Sequence, residues 1–425
     1  MGWNWRYVLK SYTRSSLWLI PLLSYVAALV LIRLLNWLDE WSNWSWDWVV
    51  SAAVAQTALQ GIATATLSFI VFTFSSLLVA IQVASAQLTP RIIATTILRD
   101  STLKAIVTLF ILTLAFAIGT MARTEARVPY VLLTVSFVLG GGSIAAFLYL
   151  IDYAARLLRP VSIVWRVGES GLAVIEQVYP DKIKGTHRPT APTPSPGTPA
   201  RTIPHEGKSA IILAVDLDAL VLEARRTGGI IEFAHQVGDF VAVGEPLMHL
   251  HGGAAAADER LLRQAVAMGA ERTVEQDATF AFRIIVDIAL KALSAAINDP
   301  TTAVLAIDQL HRLLRAVGRR HLHDDALRDP EGRVCVIFPT ANWNDFVQLS
   351  CREIRFHGAK DFQVARRLRA MLENLLGVLP EARAPALREE LSLLDRTLSR
   401  LDLQPEDLAL ARTPDLQGLG ASRSG

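Results

Sequence analysis

Long apolar runs separated by short polar segments dominate the first third of the chain. Residues 17–38, 102–121 and 130–151 hold almost no ionisable side chains, and no charged residue lies between Asp47 and Arg91. A bilayer core about 30 Å thick needs about 20 apolar residues for each helical crossing, and a helix satisfies its own backbone polar groups there. The pattern therefore predicts four transmembrane helices.

The second of these runs is unusually long. Between Trp48 and Pro90 the chain is uncharged, and no Pro or Asn interrupts it. We expect one long helix whose Ala-rich start, Ser51–Gln60, extends beyond the outer surface or lies along it. A re-entrant hairpin near Gly61 is the alternative.

Basic residues mark alternate sides of the four predicted helices. They precede the first helix, lie between the second and third, and follow the fourth, whereas the segment after the first helix holds only acidic charges. Loops rich in Lys and Arg stay in the cytoplasm. We therefore expect a multi-pass membrane protein with both termini cytoplasmic. The first helix lacks a following cleavage site, so it is expected to be an anchor. The basic residues are Arg6, Lys10 and Arg14; Arg91, Arg99 and Lys104; and Arg156, Arg159 and Arg166.

The second predicted helix carries two polar faces. At about 100° per residue, one face collects hydroxyl and amide side chains, and a second set lies roughly opposite. Such side chains can hydrogen-bond across helices or to their own carbonyls. Alternatively, one face lines a wet path for ions or small polar solutes, formed by several copies of helix 61–89. The pore-lining candidates are Thr64, Ser68, Ser75, Gln82, Ser85 and Thr89.

Composition agrees with a membrane protein and excludes some other classes. The 425 residues are 52% hydrophobic with a net charge of +2, which argues against a dedicated nucleic-acid binder. Cys335 and Cys351 belong to no CxxC motif and are expected to be reduced and inert. No catalytic triad, HExxH motif or phosphate-binding loop is evident, and no cofactor is expected.

After residue 160 the pattern predicts a cytoplasmic α+β domain. An amphipathic juxtamembrane helix and a Pro-rich linker occupy residues 161–208, and period-2 alternation predicts a small β module at 209–252. Its segment Val237–Leu247 resembles the closing hairpin of lipoyl-type barrel-sandwich domains, without their modified lysine. A mainly helical part follows at 253–404, and residues 405–425 are expected to be disordered.

The densest group of polar residues follows the β module. Asp299 is suited to cap a helix that begins at Pro300, which is a sufficient local explanation of this motif. Alternatively, six polar residues converge at a helix–helix junction and form a ligand site or a subunit contact. Carboxylates at Asp277, Asp287 and Asp299 would then offer oxygen ligands to Mg²⁺ or Ca²⁺. The six residues are Gln276, Asp277, Arg283, Asp287, Asn298 and Asp299.

Three segments, Phe74–Arg91, Gly238–Leu247 and Gln276–Ala303, together resemble a known family. The chain is similar to the bacterial predicted membrane proteins grouped as domain of unknown function 2254. The resemblance implies four membrane helices, a cytoplasmic domain and a location in the bacterial inner membrane. It brings no assigned activity and no catalytic residue.

Three functions are compatible with these patterns. The first is a homo-oligomeric channel or passive transporter in the lipid bilayer, lined by the second helix and assembled or gated by the cytoplasmic domain. The second is a membrane-anchored ligand sensor or scaffold. The third is a metal-dependent enzyme at the membrane surface, acting through Asp277, Asp287 and Asp299.

Overall fold

The computed structural model describes residues 2–16, 18–42, 51–87, 100–124, 128–157, 159–183, 196–322 and 325–419. The chain divides into two compact units, each considered below by itself. The membrane unit comprises Tyr12–Ala86 and Pro90–Ile163, and the α/β unit comprises Met1–Ser11, Gln87–Thr89 and Val164–Gly425.

Apolar helices form the membrane unit, as the charge pattern predicts. After the short helix α1 (Trp3–Ser15), the apolar helices are α2 (Leu19–Ser42), α3 (Ala52–Gln87), α4 (Ser101–Met121) and α5 (Tyr130–Leu157). Each contains a stretch long and apolar enough to cross a membrane. The prediction of four apolar helices is confirmed.

Helix α4 lies at the centre of the membrane unit. Its Phe116 is fully buried with Ile32 of α2 and Leu132 of α5, and its Phe110 is buried near Leu77 of α3. The hydroxyls of Thr113 on α4 and Ser143 on α5 are 2.9 Å apart and buried. Small polar side chains of this kind let membrane helices approach and hydrogen-bond.

Helix α3 is continuous over 36 residues. It runs through Gly61 without a break, so the long-helix interpretation holds and the re-entrant hairpin is excluded. At about 1.5 Å per residue it is about 54 Å long, well beyond a hydrocarbon core of about 30 Å.

The basic N-terminal segment forms α1, a helix that the apolar pattern did not predict. Trp3 and Tyr7 of α1 stack with their ring centroids 5.4 Å apart. They pack against buried Leu213, Ala214 and Ala267 of the α/β unit. The start of the chain therefore folds with the α/β unit.

Two small sheets lie in the α/β unit, and helix α6 (Pro160–Val178) precedes their strands in the sequence. The five-stranded sheet has the order β1-β5-β3-β8-β7, and the three-stranded sheet has the order β4-β2-β6. The strands are β1 (Arg201–Pro204), β2 (Ala210–Val215), β3 (Gly229–Phe233), β4 (Phe240–Val241), β5 (Pro246–Gly252), β6 (Val266–Gly269), β7 (Ala326–Arg328) and β8 (Val334–Ile337).

The β module is larger than the predicted range 209–252. Strands β1, β6, β7 and β8 lie outside that range, and β8 pairs in parallel with β3, placing Val336 beside Ile231. The rings of Phe233 and Phe338 meet edge to face at 5.2 Å. Long-range strand pairing and shared burial, rather than local alternation, complete this core.

Helices cover the sheets and form the rest of the unit. Two of them, α7 (Leu217–Thr227) and α8 (Glu259–Gln264), lie among the strands in the sequence. The others are α9 (Ala278–Ala292), α10 (Pro300–Gly318), α11 (Trp343–Gly358), α12 (Phe362–Val378), α13 (Ala384–Leu398) and α14 (Pro405–Ala411). Asn342 caps α11 and forms a capping box with Asp345.

The C-terminal segment is ordered as far as residue 419, contrary to the expected disorder from residue 405. Arg366 of α12 is 2% exposed and donates a 3.0 Å hydrogen bond from Nε to the carbonyl of Thr413. The backbone N–H of Asp415 donates to the carbonyl of Arg366. The C-terminal segment is held in place because Arg366 of α12 is buried against it. Residues 420–425 lie outside the described residues.

Candidate functional site

The predicted pore-lining residues of α3 share one exposed face. Thr64, Ser68, Ser75 and Gln82 are exposed and Ser85 is half-buried, whereas Thr89 lies outside the described residues. The hydroxyl of Ser68 donates to the Thr64 carbonyl at 2.9 Å. This face points away from the other helices of the membrane unit.

The opposite polar stripe of α3 is buried within the chain. Thr66 and Thr73 are each 1% exposed. Their hydroxyls donate to the carbonyls of Ile62 and Phe69 at 2.7 and 2.6 Å. The second stripe is therefore satisfied by its own helix, which is the local explanation expected for it.

The exposed face has a regular spacing that the sequence analysis did not extract. Six small or polar residues and two apolar ones, Val71 and Leu78, recur at alternating intervals of three and four residues. This is the repeat of a helix seam in a left-handed bundle. All are exposed except the half-buried Ser85. We name this set the α3 seam: Gly61, Thr64, Ser68, Val71, Ser75, Leu78, Gln82 and Ser85.

The six polar residues predicted to converge lie in three separate places. Asp277 caps the start of α9, whereas Asp299 follows the end of α9 and caps α10. The 15 residues of α9 separate them by about 22 Å along the helix axis. Arg283 and Asp287 lie between them on α9, so the structure does not bring the six together.

The Asn298–Asp299 pair has a local role at the α9–α10 junction. Asn298 has a φ of 49°, in the left-handed region that Asn tolerates better than most residues. The N–H of Asp299 donates to the carbonyl of Ala292 at 2.8 Å. Its carboxylate accepts from the backbone and hydroxyl of Thr302 at 3.0 and 2.5 Å. The sequence interpretation of this motif as a cap fits these bonds.

The Arg283–Asp287 pair joins two helices. Arg283 Nε donates to Asp287 Oδ1 at 2.7 Å, and its terminal nitrogens donate to Glu353 of α11 at 2.5 and 3.0 Å. A bidentate contact of this kind fixes the geometry of a guanidinium group. Arg283, held by Asp287, therefore joins α9 to α11 through Glu353.

Gln276 and Asp277 line a cavity of about 380 Å³ in the α/β unit. Its walls come from α1, the end of α6, the β2–α7 junction, the turn before β4, the start of α9 and the segment after β8. We name it the Asp277 cavity. Its polar lining residues are Gln177, Asp216, Asp218, Gln236, Gln276, Asp277, Thr279 and Thr340, and its aromatic ones are Trp3, Tyr179 and Phe338.

Asp277 is the most buried carboxylate of this cavity. Its side chain is 4% exposed and lies 3.1 Å from Arg272. It accepts hydrogen bonds from the N–H of Phe280 at 3.0 Å and the hydroxyl of Thr279 at 2.5 Å. Burial raises its pKa above the ordinary value, and this effect outweighs the neighbouring Arg272 charge and the hydrogen bonds, which lower it.

Two neighbours fix the surroundings of Asp277. Gly238 has a φ of 95°, and a Cβ there would overlap both Arg272 and Asp277, so glycine is required by conformation and by space. Tyr179 is buried, which raises the pKa of its hydroxyl, and the carboxylates of Asp277, Asp325 and Asp345 raise it further.

Most of the polar lining of this cavity, including Asp216 and Asp218, was not predicted from the sequence. Asp216 and Asp218 stand at the start of α7, directly after β2, and Asp216 accepts from the N–H of Ala219 at 3.2 Å. Gln276 Oε1 accepts from the N–H of Val215 at 3.1 Å, which joins the two helix starts. The sequence carries a signal for both helix starts. Asp216 directly follows a predicted strand, and Asp277 directly precedes a predicted helix.

The chemistry of a metal site is not assembled here. Across the described ranges, no group of three or more His, Cys, Asp or Glu is placed to hold a metal ion. His251 Nε2 lies 2.8 Å from Glu232, and His249 Nδ1 lies 3.1 Å from the hydroxyl of Thr202. These histidines thus pair within the sheet.

Comparison with known proteins adds a family and relatives. The family model DUF2254, described as a predicted membrane protein, matches residues 14–374. An uncharacterized protein of Mycobacterium bovis is 28% identical over 96% of this chain and 81% of its own length. Two uncharacterized proteins from strains of Mycobacterium tuberculosis are 28% and 27% identical over the same shares. No solved structure matches the chain.

Proposed function

The chain belongs to the DUF2254 family of predicted membrane proteins, and from this premise we propose that it is a homo-oligomeric channel or passive transporter. In this proposal copies of α3 face one another and line a path for a small ion or polar solute. The observation that carries the proposal is the exposed α3 seam on an apolar membrane helix.

Hydrocarbon is a poor environment for the α3 seam. The Gln82 amide offers two donors and one acceptor, and each unsatisfied polar group in a bilayer core costs several kcal/mol. Gln82 is exposed in the single chain. A second copy or a column of water would satisfy it. Small residues at Gly61, Ser68 and Ser75 would also let neighbouring helices approach closely.

The uncharged character of α3 limits what the path can carry. No charged residue lies between Asp47 and Arg91, so the lining consists of hydroxyls and amides. Such a lining favours passive movement, because proton-coupled pumps use ionisable residues within the membrane.

Flux through reconstituted vesicles tests the proposal. We expect vesicles containing the purified protein to pass K⁺, Cl⁻ or glycerol faster than empty vesicles. The double variant S75L/Q82L should lower that flux about tenfold or more, because leucine removes the polar lining. The control F74L changes an exposed residue off the seam and should leave flux unchanged. Absence of flux for all three solutes contradicts the proposal.

Cross-linking tests the arrangement of copies separately. The variant S75C should form a disulfide-linked dimer under oxidation, because seam residues of two copies would lie together. Cys335 and Cys351 are buried, so the wild-type protein is the matched control. A protein that stays monomeric in mild detergent and fails to cross-link at residue 75 contradicts assembly through α3.

We propose that both termini lie in the cytoplasm. The support is the basic residues before α2, between α3 and α4 and after α5, against acidic charge alone between α2 and α3. This is the pattern of the positive-inside rule. The short turn between α4 and α5 is the exception, because it carries Arg123 and Arg127 beside Glu125.

Ligand sensing is a second candidate, and the Asp277 cavity favours it. A cavity of about 380 Å³ with aromatic walls and a few converging polar groups has the size and lining of small-molecule sites. A ligand there could control a path or serve a signalling role by itself.

A further inference from the structure

The charged side chains that line the Asp277 cavity are all acidic. Three carboxylates line it, from Asp216, Asp218 and Asp277, and none of its described lining residues is Lys, Arg or His. Arg272 pairs with Asp277 from outside the lining. A cavity walled by protein concentrates such a field. Its electrostatics therefore favour a positively charged ligand.

The remaining lining is suited to the body of an organic ligand. Trp3, Tyr179 and Phe338 supply aromatic surface, and Gln236, Gln276 and Thr340 supply hydrogen-bonding groups. Ammonium groups are attracted to aromatic faces as well as to carboxylates. Aromatic walls beside carboxylates are the combination that protonated amines require.

Two other ligand classes fit the cavity less well. A bare divalent cation needs several oxygen ligands at about 2.0–2.6 Å, but no described group of carboxylates or histidines is placed for that. An anion could use the N-termini of α7 and α9. Those N-termini are already occupied, because Asp216 and Asp277 accept from the N–H groups of Ala219 and Phe280.

We propose that the Asp277 cavity binds a small soluble organic cation bearing one or more protonated amino groups. In this assignment Asp216 and Asp218 at the start of α7 hold the ammonium groups, and the aromatic residues contact the carbon chain. The inference does not depend on conduction through α3.

Calorimetry on the full chain tests this assignment. The purified protein is kept in a detergent without amino groups and titrated with spermidine as the probe. We expect saturable binding of spermidine, and at least tenfold weaker binding by the variant D216N/D218N. Asn remains a good helix cap, so this variant removes charge while keeping the start of α7.

Two distant carboxylates provide the matched control. Glu381, with 78% of its side chain accessible, and Asp402 are both exposed, and neither lines the cavity. The variant E381Q/D402N removes the same number of charges and should bind spermidine as the wild type does. Equal weakening by both double variants would mean that net charge alone attracts the amine, and would overturn the assignment.

Three further outcomes would also overturn it. They are no binding of spermidine by the wild type, tighter binding of citrate than of spermidine, and binding by D216N/D218N equal to the wild type. A lipid headgroup could offer the same ammonium group, so short-chain phosphatidylethanolamine is titrated in parallel. If it binds more tightly than spermidine, the soluble ligand is wrong. The calorimetry does not measure flux. Absence of spermidine binding would therefore overturn this assignment without contradicting the proposed channel.

Discussion

Asp277 serves two parts of the molecule at once. Its carboxylate caps α9 through Phe280 and pairs with Arg272 at 3.1 Å, while the residue also lines a cavity. A cap needs only a side-chain oxygen, which asparagine also provides. Helix capping alone therefore does not explain why this buried position holds Asp rather than Asn.

The raised pKa of Asp277 predicts a pH effect on stability. A carboxyl that holds its proton more tightly when folded stabilises the fold fully only below its unfolded pKa of about 4. This contribution is lost as pH rises through the higher folded value. We expect D277N to match or exceed the wild-type melting temperature at neutral pH, and to lose that advantage towards about pH 4.

Intrinsic tryptophan fluorescence during heating, in detergent, measures this effect. The control is D299N, which makes the same substitution at a second capping aspartate that lies outside the Asp277 cavity. A D277N variant that is less stable than wild type at neutral pH and equally stable at low pH would contradict the burial argument.

At the residue scale, helix caps could be predicted from the sequence, whereas the meeting of residues far apart in the chain could not. Asp299 before Pro300 and Asn342 before Trp343 are caps that neighbouring residues alone define. The meeting of Asp216 with Asp277 depends on a bond between Gln276 and Val215. Those two residues are 61 positions apart, so no spacing rule connects them.

The arginine run of α12 shows how an element can be misinterpreted. A run of arginines on an amphipathic helix favours a solvated face or contact with anionic lipids, but Arg366, Arg367 and Arg369 are all buried. Arg367 Nε donates to Asp308 at 2.6 Å, and Arg369 pairs with Asp395. Their partners lie on α10 and α13, which the sequence of α12 cannot indicate.

Removal of the Arg366 guanidinium should release the C-terminal segment. We expect R366L to lower the free energy of unfolding by about 1.5–3 kcal/mol, the usual range for a hydrogen bond to a charged group. Proteolysis within residues 405–419 should become faster, because the Thr413 carbonyl loses its donor. Thermal unfolding and limited proteolysis measure the two effects.

The exposed Arg396 on α13 provides the comparison. R396L makes the same chemical change on a solvated surface, where substitutions usually stay within about 0.5 kcal/mol. If R366L resembled R396L in both measurements, the buried arginine would not be what holds residues 405–419.

Apolar helices were the most predictable elements and short strands the least. Four apolar runs with almost no charged residue define α2 to α5, because hydrocarbon leaves few alternatives. Strand β6 has four residues and β7 has three, too few to show alternation. Helix α1 was missed because its amphipathic face is covered by the distant residues Leu213 and Ala267.

At the scale of the whole molecule, the proposed topology can be tested on intact cells. A cysteine introduced as S45C, in the segment after α2, should react with a membrane-impermeant maleimide. A cysteine introduced as S392C on α13 should react only after permeabilisation, because we place the C-terminal part in the cytoplasm. The opposite labelling pattern would reverse the orientation.

The native thiols do not confuse this measurement. Cys335 and Cys351 are buried, and burial raises the pKa of both thiols, so little reactive thiolate forms. Wild-type protein labelled before and after permeabilisation provides the background.

The apolar stretch of α3 is longer than the hydrocarbon core of a bilayer is thick. Its apolar stretch Ala52–Val83 has 32 residues, about 48 Å at the helical rise, against a hydrocarbon layer of about 30 Å. The excess must be taken up by tilting, by local thickening of the lipid or by projecting past it, and each costs energy. Lipids with longer acyl chains would reduce this mismatch, so the equilibrium among α3 orientations should depend on lipid chain length.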